Sequence, residues 1–240
     1  MGAQNNKKVQ LTSIIIPTYN ESKNITQLIT EIFTIAKKEK IALEVIIVDD
    51  NSPDKTGAIA EKLAKKYPIT VVHREGKLGL GTAVVAGFQA AKGDILGVMD
   101  ADLSHPPTII PALINPIIQQ DYDLTIGSRY VKGGGVEVWP FHRKMISLGA
   151  TVMAYPLTKI KDPMSGLFFL KRKVINGVSL GAKGYKIGLE IFVKGNYQKY
   201  KEVPYTFRNR IYGESKMGSA EFADYIKNIL RLAKYKMKKR

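Results

Sequence analysis

The sequence predicts an α/β protein in which a mostly parallel central sheet carries helices on both faces. In the N-terminal part of the chain, short apolar runs alternate with longer segments of helical apolar spacing. That alternation is typical of parallel strands connected by helices. Polar residues cluster immediately after three of the runs, at 17–21, 49–52 and 100–104. Ligands bind beyond the carboxyl ends of strands in such sheets, so the same pattern predicts a binding site.

The first elements follow from simple residue patterns. Residues 11–17 contain three consecutive isoleucines and form a predicted strand. Ser22 is a candidate N-cap for the helix that follows, because apolar residues recur at helical spacing after it. A second apolar strand is predicted over residues 43–48. Ser52 and Pro53 have the order of an N-cap and a first helical proline, which predicts a helix leading through residues 58–66.

Further along, the patterns predict a strand over 69–73, a helix over 82–91 that stops near Gly93, and a strand over 95–99. The second half of the chain is less regular. It contains a glycine-rich turn at 133–135 and a basic and apolar stretch at 139–160. After these, the patterns predict a strand over 167–170, a helix over 185–193, a strand over 202–207 and a terminal helix.

Composition limits the classes of function. With no cysteine, the chain has no disulfide, no cysteine-ligated zinc and no thiol nucleophile. Sequence signatures of dehydrogenases, P-loop kinases, serine esterases and zinc proteases are missing too. The formal net charge of +16 favours anionic partners, namely nucleic acid, acidic lipid headgroups or phosphorylated substrates. Residues 1–10 lack the apolar region of a signal peptide, and neither uncharged stretch, 103–120 or 145–158, is suited to span a membrane.

Asp100 and Asp102 close an apolar strand and are candidate ligands for a divalent cation. Two carboxylates at a strand end can meet one hard cation that also binds a diphosphate. The alternative is that they merely end a strand and begin a turn. Asp49 and Asp50 follow the second strand, where a carboxylate could accept hydrogen bonds from a ribose or base edge, and Asp49 could instead cap a helix. The loop 77–81 could approach a phosphate or simply open a helix.

The motifs together resemble those of family 2 glycosyltransferases with the GT-A (Rossmann-like) fold. Three segments carry this resemblance: 16–21 (IPTYNE), 48–54 (VDDNSPD) and 99–106 (MDADLSHP). Three others are similar to the dolichol-phosphate mannose synthase subgroup: 127–130 (GSRY), 162–166 (DPMSG) and 210–216 (RIYGESK). The likeness covers residues 11 to about 220. It implies a tail at 1–10, a catalytic domain at 11–218 with a nucleotide half (11–102) and an acceptor half (103–218), and a basic amphipathic helix at 219–240.

The resemblance also implies roles for individual residues. The guanosine end of the donor would be held by Pro17, Tyr19, Glu21, Val48 and Asp50. The metal and diphosphate would be held by Asp100, Ala101, Asp102 and Ser104, although some relatives carry glutamine in place of this serine. Catalysis would involve Asp100, Asp102, Arg129, Arg210 and Lys216, and the last three, with Lys186, would also contact the donor. The acceptor phosphate would be held by Arg129, Arg143 and Ser147. Asp162 is interpreted as structural or sugar-contacting.

By this resemblance, the chain would transfer mannose from GDP-mannose to dolichyl (polyprenyl) phosphate with inversion, using Mg²⁺ or Mn²⁺. It would work peripherally at the cytoplasmic face of a membrane, with segments 139–160 and 219–240 touching the lipid surface or packing as ordinary helices. The sequence leaves open whether the chain works with a membrane-embedded partner subunit or with a further C-terminal membrane segment. The alternatives are a UDP-glucose-dependent sister enzyme, a non-catalytic scaffold and a nucleic-acid-binding protein. The last lacks a recognition motif and has acidic strand ends, so no nucleic-acid partner is expected.

Overall fold

The computed structural model describes residues 10–137, 139–181, 186–210 and 219–239, and within them one seven-stranded sheet organises the chain. The strands are β1 (Thr12–Thr18), β2 (Leu43–Asp49), β3 (Ile69–His73), β4 (Ile95–Val98), β5 (Leu124–Ser128), β6 (Gly135–Val136), β7 (Phe168–Lys171), β8 (Tyr200–Pro204) and β9 (Thr206–Phe207). The helices are α1 (Ile25–Lys38), α2 (Thr56–Ala64), α3 (Leu80–Ala90), α4 (Ile110–Gln120), α5 (Phe141–Ala154), α6 (Ile187–Lys194) and α7 (Ser219–Lys238).

The order of strands in the large sheet is β3-β2-β1-β4-β7-β5-β8. All neighbouring pairs are parallel except those of β7, which runs antiparallel to both β4 and β5. A separate two-stranded sheet pairs β6 with β9. Because β7 is reversed, the chain enters it at the edge where β1, β2 and β4 end. This edge therefore collects loops from both halves of the sequence.

Helices cover both faces of the sheet, as the sequence predicts. Alternate residues of β1 point to opposite faces, so Ile14 and Ile16 pack in one apolar cluster and Ile15 packs in another. The first cluster includes side chains of α1, α2 and α4, and the second includes side chains of α3 and α6. A third, smaller cluster joins α5, α6 and α7. The predicted fold class is confirmed.

Two predicted helix starts are wrong. Helix α1 begins at Ile25, and the backbone N–H of Ser22 donates instead to the Asp54 carboxylate at 2.9 Å. Helix α2 begins at Thr56, beyond Ser52, and Asp54 accepts hydrogen bonds from the backbone and hydroxyl of Thr56. In both cases the serine predicted as an N-cap instead links the loop after β1 to the loop after β2. Such a contact between distant parts of the chain cannot be seen in the local sequence.

Helix α4 lies in a proline-rich segment that the sequence patterns did not assign to a helix. Pro111 is tolerated because it lies in the first turn, where its missing N–H has no intrahelical partner. Pro116 lies inside the helix and removes one hydrogen bond. The buried face of the helix, which includes Leu113, Ile114 and Ile117, offsets that loss by packing on the sheet.

The C-terminal elements differ from their predicted ranges by a few residues. Helix α6 begins at Ile187, and Tyr185, where the predicted helix starts, lies outside the described residues. The strand predicted over 202–207 is divided into β8 and β9, which belong to different sheets. In the portion of the chain described, no helix has the length and apolar character needed to cross a bilayer.

Candidate functional site

The carboxylates of Asp100 and Asp102 lie just beyond the end of β4. Asp100 has 33% of its side chain exposed, whereas Asp102 is nearly buried. The Asp102 carboxylate accepts hydrogen bonds from the backbone N–H of Ser104 at 3.0 Å and from its hydroxyl at 2.5 Å. Ser104 itself is fully buried and orients Asp102 through these two hydrogen bonds, and its contact with a cation stays a prediction.

Positive side chains converge on this acidic pair. The Nε of Arg210 lies 2.6 Å from Oδ2 of Asp102. Burial opposes ionisation of Asp100, but the hydrogen bond and charge of His105, with the charges of Lys186 and Arg210, outweigh it and lower the pKa of Asp100. Burial, reinforced by the positive charge of Arg129, lowers the pKa of Lys186 to about 8. The acidic pair therefore lies among the charges of Lys186, Arg210 and His105.

Arg129 belongs to the same cluster but is already paired. Its Nε and Nη2 donate to the two oxygens of Asp162 at 2.8 and 2.7 Å, and its backbone N–H donates to the same carboxylate. The loop that carries Asp162 is held in turn by Glu202, which accepts backbone hydrogen bonds from Lys161 and Asp162. Although burial alone would lower the pKa of Arg129, the bond to Asp162 raises it.

On the nucleotide side, Asp50 accepts two hydrogen bonds from Arg74, at 2.6 and 2.7 Å. Arg74 also donates to Thr82 and to the carbonyl of Gly79 at the start of α3. The carboxylate of Glu21 accepts a hydrogen bond from Asn24. Sequence reasoning missed Arg74, yet it directly follows β3, and the strand-end rule applied to the other three strands would have found it.

The remaining predicted donor residues surround the same edge of the sheet. Pro17 and Tyr19 are partly exposed at the end of β1 and in the loop after it, and the ammonium of Lys77 lies 5.1 Å from the Tyr19 ring centroid. Ala101 is buried between the two aspartates. Val48 differs from the others, because its side chain is fully buried in the core beneath α3. Its predicted contact with the donor is therefore not available to the side chain in this arrangement.

The predicted acceptor residues lie on and beside α5. The guanidinium of Arg143 lies 4.3 Å from the ring centroid of Trp139, and Arg129 lies 5.6 Å from the same ring. The hydroxyls of Ser147 and Tyr130 are 2.8 Å apart. These contacts bring Arg129, Arg143 and Ser147 into one neighbourhood. Lys216, the remaining predicted catalytic cation, lies outside the described residues.

The acidic pair suits a hard divalent cation that is shared with a substrate. Among the described residues there is no group of three or more histidine, cysteine, aspartate or glutamate side chains that could hold a metal unaided. Mg²⁺ typically binds through one or two carboxylates together with substrate phosphates and water. Asp100 and Asp102 provide that smaller set of oxygen ligands, and one of them is accessible. The donor set fits a cation that arrives with a diphosphate.

Comparison with known proteins agrees with this architecture. The family model for glycosyl transferase family 2 matches residues 13–178. A dolichol-phosphate mannosyltransferase from Pyrococcus furiosus is 48% identical over 93% of this chain, and the chain spans 64% of that relative's length. A dolichol-phosphate mannosyltransferase from Saccharomyces cerevisiae is 38% identical, with 93% of this chain and 87% of that relative covered.

Solved structures support the fold independently. A mannosyltransferase from Pyrobaculum calidifontis, solved in complex with GDP-Man and Mn²⁺, superposes with a TM-score of 0.63 over 92% of this chain and 64% of the other, at 16% identity. At that identity the likeness concerns the fold alone. The family match and the two sequence relatives show that this chain belongs to glycosyl transferase family 2.

Proposed function

We propose that the protein is a metal-dependent mannosyltransferase that moves mannose from GDP-mannose to dolichyl or another polyprenyl phosphate. Relatives at 48% and 38% identity are named as dolichol-phosphate mannosyltransferases. A structural neighbour was solved with GDP-Man and Mn²⁺. The geometry that supports the phosphate acceptor lies within this chain, at Asp162.

Asp162 is the acidic residue near the cluster that could otherwise serve as a general base. Its side chain is 0% exposed, and both of its oxygens accept hydrogen bonds from Arg129. A carboxylate held in this way is poorly placed to remove a proton from an alcohol. A phosphate monoester needs no such base, because its second pKa is about 6 and it is largely a dianion at neutral pH. The burial of Asp162 is the observation that carries the proposal.

The reaction then follows from the charges of the site. An oxygen of the acceptor phosphate attacks the anomeric carbon of mannose, and the bond between that carbon and the donor diphosphate breaks. GDP leaves with the electron pair, and no proton needs to be transferred. Attack from the side opposite the leaving group gives the inverted, β-linked product. Arg210, Lys186 and Arg129 form one cluster with the acidic pair, and cations there would lower the cost of bringing two anionic substrates together.

Asp100 and Asp102 would hold Mg²⁺ or Mn²⁺, and the bound ion would neutralise charge that develops on the departing diphosphate. The lowered pKa of Lys186 supports an anionic ligand at this place. Burial and the charge of Arg129 disfavour its ammonium form, and a diphosphate or phosphate beside it would favour that form. Asp100 and Asp102 would thus hold the metal, and Arg210, Lys186 and Arg129 would hold the phosphates.

The lipid part of the acceptor would be met by α5. One stripe of that helix and the residue after it is exposed and apolar, with at least 47% of each residue accessible: Phe141, Met145, Leu148, Val152 and, just beyond the helix, Tyr155. Arg143 and Lys144 lie on the same helix and add positive charge. An exposed apolar stripe with neighbouring cations suits the surface of an anionic bilayer. These features support peripheral binding through this helix, and our proposal includes the cytoplasmic face of a membrane as the site of action.

The test is a transfer assay with the purified chain and labelled donor. Labelled GDP-mannose and labelled UDP-glucose are each incubated with Mn²⁺ or Mg²⁺ and with either polyprenyl phosphate or free polyprenol. We expect transfer from GDP-mannose to polyprenyl phosphate alone, its loss in excess EDTA, and its return when the metal is restored. Asp102→Asn should abolish transfer, whereas Asp121→Asn, which alters an exposed carboxylate at the end of α4, should not.

Three outcomes would contradict parts of the proposal. Transfer to the free alcohol at a similar rate would mean that a base is present, and the acceptor assignment would be wrong. Preference for UDP-glucose would replace the donor assignment with that of the sister enzyme. Undiminished transfer in EDTA would remove the metal from the mechanism while leaving the substrates unchanged.

A further inference from the structure

His105 contacts the metal-site carboxylate Asp100, and the mechanism above gives it no role. It is 1% exposed, and its Nε2 lies 3.3 Å from Oδ2 of Asp100. The imidazole is held by two aromatic rings: Tyr205 at a centroid distance of 5.5 Å, and Phe207 at 5.4 Å in a nearly perpendicular arrangement. Packing against both rings limits the orientations open to the imidazole, and in the observed one Nε2 faces Asp100.

The backbone between these two residues is unusual. Leu103 has φ of 61°, a left-handed conformation that a bulky residue rarely adopts. Such a conformation is strained and persists where surrounding structure enforces it. Here the side chain of Leu103 is buried in the core, which offsets that strain. The resulting turn brings His105 back beside Asp100, five positions earlier in the chain.

Gly166 limits the space available to the Asp100 carboxylate on another side. A Cβ atom added at Gly166 would lie 3.1 Å from Oδ2 of Asp100 and 3.5 Å from Oδ1. Oδ2 therefore occupies a narrow space between the imidazole and the backbone of the loop before β7. The carboxylate as a whole stays one-third exposed. The strained turn at Leu103 and the glycine at position 166 thus both determine where the oxygens of Asp100 lie.

We propose that His105 is a positioning residue, which holds the Asp100 carboxylate in the orientation that the divalent cation requires. The inference rests on the proposed function, because it assumes that Asp100 binds the metal. Groups that hydrogen-bond a ligating side chain fix its orientation, and their loss typically lowers metal affinity by about 10–100-fold. A histidine that served only to fill space would be replaceable by any side chain of similar volume.

The test measures metal binding directly. Mn²⁺ is titrated into the full chain with GDP present, and free Mn²⁺ is followed by electron paramagnetic resonance. In His105→Gln the amide can reach the position of Nε2, whereas in His105→Asn it stops near the position of Nδ1. We expect His105→Asn to bind Mn²⁺ about tenfold or more weakly, and His105→Gln to stay within about threefold of the unaltered chain. His73→Asn is the matched control, since His73 forms an exposed pair with Glu61.

Unchanged affinity in a folded His105→Asn protein, or equal losses in the Asn and Gln variants, would overturn the positioning role. Thermal unfolding curves establish whether each variant is folded. If the Asn variant unfolds, His105→Met replaces it, because methionine fills the space without donating a hydrogen bond, and weak binding by Met but not Gln supports the proposal. Failure of the unaltered chain to take up Mn²⁺ with GDP would overturn the metal site itself, and with it this role for His105.

Discussion

The carboxylate of Asp162 forms a bidentate pair with the guanidinium of Arg129, and both side chains are almost completely buried. Arg129 lies at the end of β5 and Asp162 in the loop before β7, so the pair joins two loops at the functional edge of the sheet. Nε and Nη2 are used for this contact, which leaves Nη1 as the nitrogen not engaged with Asp162. The predicted contact of Arg129 with substrate would then use Nη1 or the second N–H of Nη2.

Removing the negative charge of this pair should be costly. Asp162→Asn leaves a buried guanidinium without its counter-charge, so we expect the free energy of unfolding to fall by about 3–5 kcal/mol. The double variant Arg129→Met with Asp162→Asn should recover part of that loss, because no buried charge then remains. Urea unfolding measures both, with the exposed Asp121→Asn as the control. Equal stability of Asp162→Asn and the unaltered chain would show that the pair contributes nothing.

Asp123 should make stability depend on pH in the acid range. Burial opposes its ionisation, but hydrogen bonds from Lys173 and from the backbone of Gln198 and Lys199 lower the pKa from 3.8 to about 2. A lowered carboxylate pKa stabilises the fold above the unfolded pKa, and that contribution disappears as pH falls from 3.8 towards 2. Asp123→Asn should therefore cost about 2 kcal/mol at neutral pH and progressively less below pH 4.

Chemical denaturation of the two proteins between pH 3 and pH 7 measures this difference. The exposed carboxylate of Asp224 provides the matched control, and Asp224→Asn should change stability by less than about 0.5 kcal/mol. A difference between the unaltered chain and Asp123→Asn that stays constant across this pH range would contradict the assignment to ionised Asp123.

The contact between Arg210 and Asp102 should require a guanidinium. A lysine at position 210 retains the charge but cannot offer the planar, bidentate set of donors that suits phosphate. We expect Arg210→Lys to reduce kcat/KM roughly tenfold to thousandfold, which corresponds to about 1.4–4 kcal/mol of lost transition-state stabilisation. Steady-state transfer to polyprenyl phosphate measures the loss. Arg208→Lys, an exposed change two residues earlier, should stay within about twofold, and a similar fall in both variants would mean that position 210 has no special role.

The exposed stripe of α5 should control binding to lipid vesicles. Phe141→Ser with Met145→Ser removes two of its large apolar side chains, 76% and 51% exposed, without opening the core. We expect the double variant to sediment several-fold less with anionic vesicles, and binding of the unaltered chain to weaken as salt is added. Leu78→Ser, which alters an exposed apolar residue in the loop before α3, should have no effect. Equal, salt-insensitive partition of all three proteins would leave α5 without a role at the membrane.

The sequence predicts the parallel part of the fold well, because β1, β2 and β4 are buried on both faces and read as continuous apolar runs. The reversal of β7 could not be predicted, since strand direction depends on where the chain returns and not on local pattern. Helix α4 was not predicted because its prolines are typical of segments that are not helical. Within the site, the motifs predicted which carboxylates matter, but not which residues contact them. Arg74 contacts Asp50 and His105 contacts Asp100, and both contacts depend on how the folded loops bring the side chains together.

The reversed strand β7 has a consequence for how this enzyme family can diversify. Both ends of the segment that connects β4 to β7 are held by one ladder of hydrogen bonds, in which Val98 pairs with Phe168 and Ile95 with Lys171. Insertions or exchanges in the surface parts of that segment therefore do not displace Asp100 from Gly166. Under the proposed function, the surface around α5 can therefore change and alter acceptor recognition while Asp100 and Gly166 keep their relative positions.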